Sequence, residues 1–419
     1  MKVLHLSSYD YGGAGIATLH LHEGMLKAGI DSRVAVMHHH SKVQGIIEVT
    51  GGRHPYRVYL LACKAFLKFG SDGDFGFQYQ LLSLIPHPKR LLELVGFKPD
   101  VIVAHYISHF LSPRDLLELH RLTDAPVIMN LLDMGLLTGG CHYAWECGGY
   151  KIKCEKCPAL RFSHQADLSQ HTLREKASVL GNMKVAVVAG SSWLLDQARQ
   201  SSLFQGLNAE TILLGVDPNT FGCISRMEAR KLLGLPQDLK IIFFGAQSLS
   251  QRRKGMSYLV HSLNLLAGHG RFDSGKVMTV SAGHRRGVTA LLDKRIKHYA
   301  FGFLNGASLL PLAYRAADVF VCPSIEDSGP VMINEAIMCG TPVVAFRMGV
   351  ALDLVVPGQT GYLAILKNSE DLARGVQKII SLNDSDAQTM SKRCRAHALE
   401  LCNPAKQVSS FIAVCQRII

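Results

Sequence analysis

Val319-Phe320-Val321-Cys322-Pro323-Ser324-Ile325-Glu326-Asp327-Ser328-Gly329-Pro330 runs into Val331-Met332-Ile333-Asn334-Glu335 and on to Cys339-Gly340-Thr341-Pro342-Val343-Val344-Ala345-Phe346. Residues 319–322 are an unbroken apolar run ended by a proline, the pattern of a strand buried on both faces. Pro330 suits the first helical turn, and Ser328 or Gly329 suits the cap. Residues 342–346 read as the next strand. Strand, loop, helix and strand make one βαβ unit. Its loop lies at the C-terminal edge of a parallel sheet, where such folds bind ligands.

The same rhythm extends in both directions. Residues 3–6, 32–36, 101–104, 127–131 and 185–188 form a first series of strands. Residues 241–244, 277–282, 319–322 and 342–346 form a second. The prediction is an α/β protein of two Rossmann-like, doubly wound domains. Turn residues Leu214-Gly215-Val216-Asp217-Pro218 mark the joint. The first domain is expected over 1–217 and the second over 218–400. A terminal segment, 401–419, carries an amphipathic helix after the break at Pro404. Residues 54–95 interrupt the rhythm, and 55–70 read as a basic amphipathic helix with Arg57, Lys64 and Lys68 on its polar side. That pattern fits a helix packed on its own domain and also one lying on a membrane surface.

The chain has 419 residues, 48% of them hydrophobic, and a net charge of +12. That composition excludes a disordered chain and favours anionic partners without choosing among them. No apolar run reaches the roughly 18 residues of a membrane span. The start reads as a first strand and not as a signal peptide. Most of the 11 cysteines stand alone in apolar segments, as buried thiols in a reducing cytosol do. Basic residues are scattered and no aromatic–basic stacking motif occurs, which argues against nucleic acid.

Three constellations carry chemistry. Gly12-Gly13-Ala14-Gly15 follows the first strand and precedes a helix expected from Ile16, so backbone amides there can approach a phosphate or a sugar. The third glycine of a dinucleotide fingerprint is missing, and the next strand ends in Met37-His38-His39-His40 instead of an acid. Asp327 and Glu335 can line one crevice and grip sugar or ribose hydroxyls; a capping acid and an ordinary helix acid fit the same spacing. Cys141, Cys147, Cys154 and Cys157, spaced C-x5-C-x6-C-x2-C, suit a structural zinc site, with free thiols or a disulfide as the other reading.

Residues 316–324, the acidic loop and 335–345 together resemble the family-4 retaining glycosyltransferases. So do Gly12-Gly13-Ala14, Ser191-Ser192-Trp193-Leu194, Gly215-Val216-Asp217 with Phe221, Arg253-Lys254-Gly255 and Pro357-Gly358-Gln359-Thr360-Gly361. The resemblance implies the GT-B architecture, two such domains facing across a cleft. It implies a sugar moved from a nucleotide-diphosphate donor with retention of configuration and without a catalytic metal. By analogy Glu335 holds the donor ribose, Asp327 (with Glu326 beside it) the transferred sugar, and Lys254 the diphosphate. Arg252 or Arg253 replaces an arginine absent from Gly245-Ala246-Gln247-Ser248. Gly13, Ser328, Gly329, Pro330 and Val331 complete the expected donor site.

The cysteine segment, with Thr138-Gly139-Gly140-Cys141-His142-Tyr143, is similar to an insert found in members that build bacterial surface polysaccharides. In that branch a His-Asp pair stands where this chain has Leu132-Asp133. The lost histidine leaves Asp133, His142 or His105 as candidates for its task. The expectation is a cytosolic enzyme with a glycan or lipid-linked acceptor, meeting an anionic membrane at its inner face. A sugar-nucleotide-binding scaffold without turnover and an epimerase of similar fold are the other classes.

Overall fold

A computed structural model describes residues 1–50, 58, 61–63, 65, 69–78, 87–222, 224–268, 275–284, 286–304 and 309–419. The chain divides into two compact units, Met1–Leu213 with Pro404–Ile419, and Leu214–Asn403. The joint expected at 217/218 thus lies at 213/214. The return to the first unit comes at Pro404, because the preceding helix, Asp384–Leu401, runs on through 401 within the second. Arg57, Lys64 and Lys68 of the expected basic helix lie outside the described residues. No helix among the described residues is long and apolar enough to cross a membrane.

The first unit is built on a seven-stranded parallel sheet. Its strands are β1 (Lys2–Leu6), β2 (Asp31–Val36), β3 (Ile46–Glu48), β4 (Val101–Ala104), β5 (Val127–Leu131), β6 (Val185–Ala189) and β7 (Ala209–Thr211), in the order β3-β2-β1-β4-β5-β6-β7. The chain leaves β1 toward one edge and returns at β4 toward the other. The β1/β4 boundary is therefore the topological switch point, where loops on either side diverge and leave a crevice. The terminal helix Pro404–Ile418 closes one face. Its Val408, Phe411, Val414 and Cys415 join Val3, Leu21, Met25 and Val101 in one core. Each such side chain contributes about 1.5–3 kcal/mol when fully buried.

The second unit has a six-stranded parallel sheet, β10-β9-β8-β11-β12-β13. Its strands are β8 (Lys240–Ser248), β9 (Val277–His284), β10 (Lys297–Gly302), β11 (Val319–Cys322), β12 (Val343–Phe346) and β13 (Gly361–Ala364). Here the switch point lies between β8 and β11. Val319, Phe320 and Val321 pair with Ile242, Phe243 and Phe244 and are fully buried, which is why this strand reads as an uninterrupted apolar run. Asp318, just before β11, takes Arg226, Arg230 and the Ile241 amide, tying the helix Arg226–Leu232 to the sheet.

Candidate functional site

The loops leaving β8 and β11 meet at the second unit's switch point. The first carries a short 3-10 turn, Arg252–Lys254, and the second carries residues 323–330. Backbone bonds join them: the Ile325 amide donates to Arg253 O over 2.8 Å. Gly255 makes the approach possible. Its φ is +63°, and a Cβ there would fall 1.8 Å from Pro323 O, so any other residue would push the loops apart.

Asp327 sits in the middle. Its Oδ2 accepts from Lys254 Nζ at 2.5 Å and Arg253 Nη1 at 2.9 Å. Burial alone would push this carboxyl up. The two cations, with hydrogen bonds from Lys254 and the Gly329 amide, outweigh burial and hold its pKa at about 2. The result is a pair of positive groups fixed beside a buried anion, close to the first turn of the helix Val331–Met338. That helix has Pro330 as its N-cap, not as its first residue, and no side-chain cap bond covers its leading amides. Helix-end amides and cations together form the electrostatic environment a phosphate prefers.

Glu335 lies one turn further along and is held differently. Its Oε2 accepts from the Tyr314 hydroxyl at 2.8 Å. Burial raises its pKa to about 7 against the lowering effect of that bond. Tyr314 is fully buried, at the end of the helix Leu309–Ala316, and rests edge-on against Phe243 and Phe320. Sequence reasoning missed Tyr314; nothing in a tyrosine 21 positions upstream points to a carboxylate partner.

Of the remaining expected donor residues, Arg253 is the arginine that joins Asp327, while Arg252 is exposed. Glu326 and Ser328 are buried in the loop, and the Glu326 amide faces Arg253 O at 3.3 Å. Gly329, Pro330 and Val331 lead into the helix. Gly13 belongs to the other unit. It lies in the first turn of the helix Gly12–Lys27, exposed, and a Cβ on it would meet nothing within 4 Å.

In the first unit His105 does not take the place expected of it. It is 2% exposed, with Nδ1 on the Asn130 amide and Nε2 on His5 Nδ1, and burial drives its pKa down to about 3. A sealed, neutral imidazole bonded at both nitrogens is a core residue, so the catalytic assignment of His105 is corrected. Asp133, which follows β5, is buried against His142, whose Nδ1 lies 2.8 Å from Asp133 Oδ2. Burial tends to raise the Asp133 pKa; His142 and the bonds from the Gly135 amide and Gln78 bring it below the usual carboxylate value. His39 and His40 are exposed in the loop after β2. Asp10, buried after β1, takes the His40 and Ser41 amides and His39 Nδ1.

The four cysteines gather in one loop. Cys141 and Cys157 hydrogen-bond to each other, which pushes the first thiol up and the second down. The Cys154 thiol receives the Gly139 amide, and Cys147 Sγ receives the Gly149 amide at 3.4 Å. Among the described residues no group of three or more His, Cys, Asp or Glu side chains is arranged to hold a metal ion. Cys141, Cys147, Cys154 and Cys157 lie near enough for the other three to act on the Cys141 thiol, and amides that donate to sulfur suit a thiolate ligand as well as a free thiol. Asp72 and Asp386 belong to local caps: Asp72 takes the Asp74 amide, and Asn383 takes the Asp386 amide.

Residues 225–397, within the second unit, match the family model described as glycosyl transferases group 1. Over 204 residues the chain is 31% identical to a D-inositol 3-phosphate glycosyltransferase from Saccharomonospora viridis, covering 45% of this chain and 45% of that one. It spans about half the length, or less, of the curated relatives it matches. Several solved structures match over the whole fold, and two illustrate it. One is sucrose-phosphate synthase from Thermosynechococcus elongatus, with a TM-score of 0.70, 19% identity, and coverage of 100% of this chain and 99% of that one. The other is HepE from Anabaena in complex with UDP and glucose, with a TM-score of 0.65, 18% identity, and 100% of both chains covered. The family match thus concerns residues 225–397, and the likeness to the solved structures shows the fold, GT-B: two parallel-sheet α/β units.

Proposed function

We propose that this protein transfers a sugar from a nucleotide-diphosphate donor to a glycan or lipid-linked glycan, with retention of configuration and without a catalytic divalent metal. One observation carries the reading: Lys254 and Arg253 are fixed on Asp327 at the switch point of the unit that matches the family model. As the glycosidic bond breaks, negative charge grows on the departing diphosphate. Two preorganised cations and the amides of the helix Val331–Met338 stabilise that charge in the transition state more than in the ground state. Glu335, once ionised, can accept two neighbouring hydroxyls of the donor ribose. Asp327, already ionised, is the anion available to the transferred sugar. The HepE structure containing UDP and glucose supports a nucleotide sugar as the donor class, and the +12 charge supports an anionic membrane surface as the place of work.

The test is turnover by the full chain with a panel of nucleotide sugars and alkyl glycoside acceptors, in the presence of a chelator. Release of nucleoside diphosphate together with a glycosylated acceptor of retained configuration is the expected result. Nucleotide-sugar binding without turnover indicates the scaffold alternative, and a free altered sugar without acceptor use indicates an epimerase.

A further inference from the structure

We propose that an apolar stripe in the segment that interrupts the strand rhythm, Val58, Leu61, Ala65 and Phe69, docks together with Phe162 on the surface of an anionic bilayer. The proposal rests for its purpose on the lipid-linked acceptor of the reading above, since such an acceptor has to be met at a membrane. Among the described residues of this segment, 58, 61–63, 65, 69 and 70 are helical. Positions 58, 61, 65 and 69 recur at i, i+3, i+7 and i+11, which is one face of a helix. In a helix packed on its own domain the apolar face is the buried one. Here it is turned outward: Val58 is 57% exposed, Leu61 67% and Phe69 67%, and Ala65 is exposed with them. Cys63, on the opposite side of the helix, is buried.

A second segment widens the stripe. Residues 69–72 run antiparallel to 159–162: the Arg161 amide donates to Gly70 O at 2.9 Å, the Asp72 amide donates to Ala159 O at 2.9 Å, and Ser71 pairs with Leu160. Phe69 and Phe162 therefore flank the bonded pair Gly70 and Arg161 on the same side, and Phe162 is 80% exposed. The charge around this patch indicates what covers it. Residues 55–70 contain Arg57, Lys64 and Lys68 and no Asp or Glu. Arg161 is exposed next to Phe162, and the exposed Lys156 is held beside the same segment, its amide donating to His164 O at 3.1 Å. The acids that follow Phe69 are Asp72 and Asp74, and Asp72 Oδ1 already accepts the Asp74 amide at 3.0 Å. An apolar stripe bordered by cations fits the boundary between headgroups and acyl chains of an anionic leaflet: the rings enter and the cations stay with the phosphates. A second copy of this chain on the same face would instead bring like charges together.

Co-sedimentation of the full chain with vesicles tests this, using phosphatidylcholine alone and an equimolar mixture of phosphatidylcholine and phosphatidylglycerol, with no nucleotide sugar present. The wild type is expected to bind the anionic vesicles about tenfold more tightly than the neutral ones. Phe69→Ser combined with Phe162→Ser is expected to weaken that binding by about tenfold or more, the scale of two rings withdrawn from an apolar phase, with the melting temperature unchanged because both side chains are exposed. Arg161→Glu should lower the binding and flatten its dependence on salt. Phe162→Trp should gain an emission component, absent from the wild type, that brominated acyl chains quench. Wild-type protein that ignores the anionic vesicles overturns the proposal, as does a double serine variant that binds as well as the wild type, or Phe162→Trp with no added quenching. A wild-type dimer that the double variant loses, without vesicle binding, gives this face to a second copy and overturns it too. No turnover enters the assay, so a chain that transfers sugar but ignores vesicles loses this proposal alone, while vesicle binding through the stripe without sugar transfer counts against the transfer reading and not against this surface.

Discussion

Lys254 Nζ and Asp327 Oδ2 lie 2.5 Å apart and pin the loop after β8 to the loop after β11. Neither group is there for stability alone. A buried ion pair roughly offsets its own desolvation, so its retention at a sheet's switch point has to be read through what the charges can do there. Lys254→Met removes the compact cation and leaves Arg253 to hold Asp327. The expected result is a fall in kcat/KM of about a hundredfold, the size of one electrostatic contact to a developing anion. Melting temperature changes little because Arg253 still neutralises the carboxylate. Steady-state release of nucleoside diphosphate, with a melting curve of the same preparation, measures both. A rate within a factor of about two of wild type removes Lys254 from the site.

Glu335 makes the proposed donor site sensitive to pH. Its folded pKa is raised to about 7 from the ordinary 4.5 of a glutamate, so the folded protein holds this proton more tightly than the unfolded chain does. Between those two values the folded state binds more protons, and stability from this group falls as pH rises. Ligand binding runs the other way, because a ribose diol needs the ionised carboxylate as acceptor. Donor affinity should strengthen as pH rises through about 7, and Glu335→Gln should flatten that dependence while raising the melting temperature at pH 8 more than at pH 5. Calorimetric titration with UDP at several pH values checks the first part. A slope that persists in Glu335→Gln assigns the titration elsewhere.

The sequence showed the central strands well and the margins poorly, for a physical reason. β4, β5 and β11 are buried on both faces, so they are continuous apolar runs and their expected ends coincide with the observed ones. β3, β7, β10 and β13 lie toward the sheet edges, are half exposed, and offer no such run. The helix expected from Ile16 begins at Gly12, because low helix propensity concealed a glycine needed for packing: a Cβ on Gly15 would fall 2.7 Å from Tyr9 O.

The site divides in the same way. Asp327, Lys254 and Arg253 are legible because each flanks a strand whose position the apolar runs already fix. Tyr314 is not, since its partner is 21 residues away and meets it only through the packing of a helix; His142 is named by the sequence, but its pairing with Asp133, nine residues away, comes from the return of a loop. The cysteine spacing reads as a metal site or as free thiols, and the sequence alone does not show the backbone amides of Gly139 and Gly149 or the mutual bond of Cys141 and Cys157 at the sulfurs.

Gly255 is a strict steric requirement and tests the loop junction without touching a charged group. Gly255→Ala places a methyl group against Pro323 O at a φ of +63°. The cost is expected to exceed about 1 kcal/mol, the usual scale for an alanine forced into left-handed backbone. Because the strain is released by separating the two loops, donor affinity should fall more than global stability does. Paired melting and UDP-binding measurements distinguish this from a general loss of fold.

Lys176 supports the loop that carries Asp133 and His142. It rises from the helix Leu168–Leu180, is 5% exposed, and donates from Nζ to Gly135 O at 2.6 Å and Thr138 O at 2.9 Å. Burial lowers its pKa to about 8, with the nearby Cys154, Asp133 and Cys141 opposing that shift. Lys176→Met keeps most of the volume and strands two buried carbonyls, each costing about 1–3 kcal/mol when left unpaired. The expected outcome is a melting temperature lower by several degrees, and hydrogen exchange that accelerates across residues 133–142 before it does in β4 or β5. If the loop exchanges no faster in the variant, Lys176 is a core filler and the dyad is ordered by Gly135 and Gln78 alone.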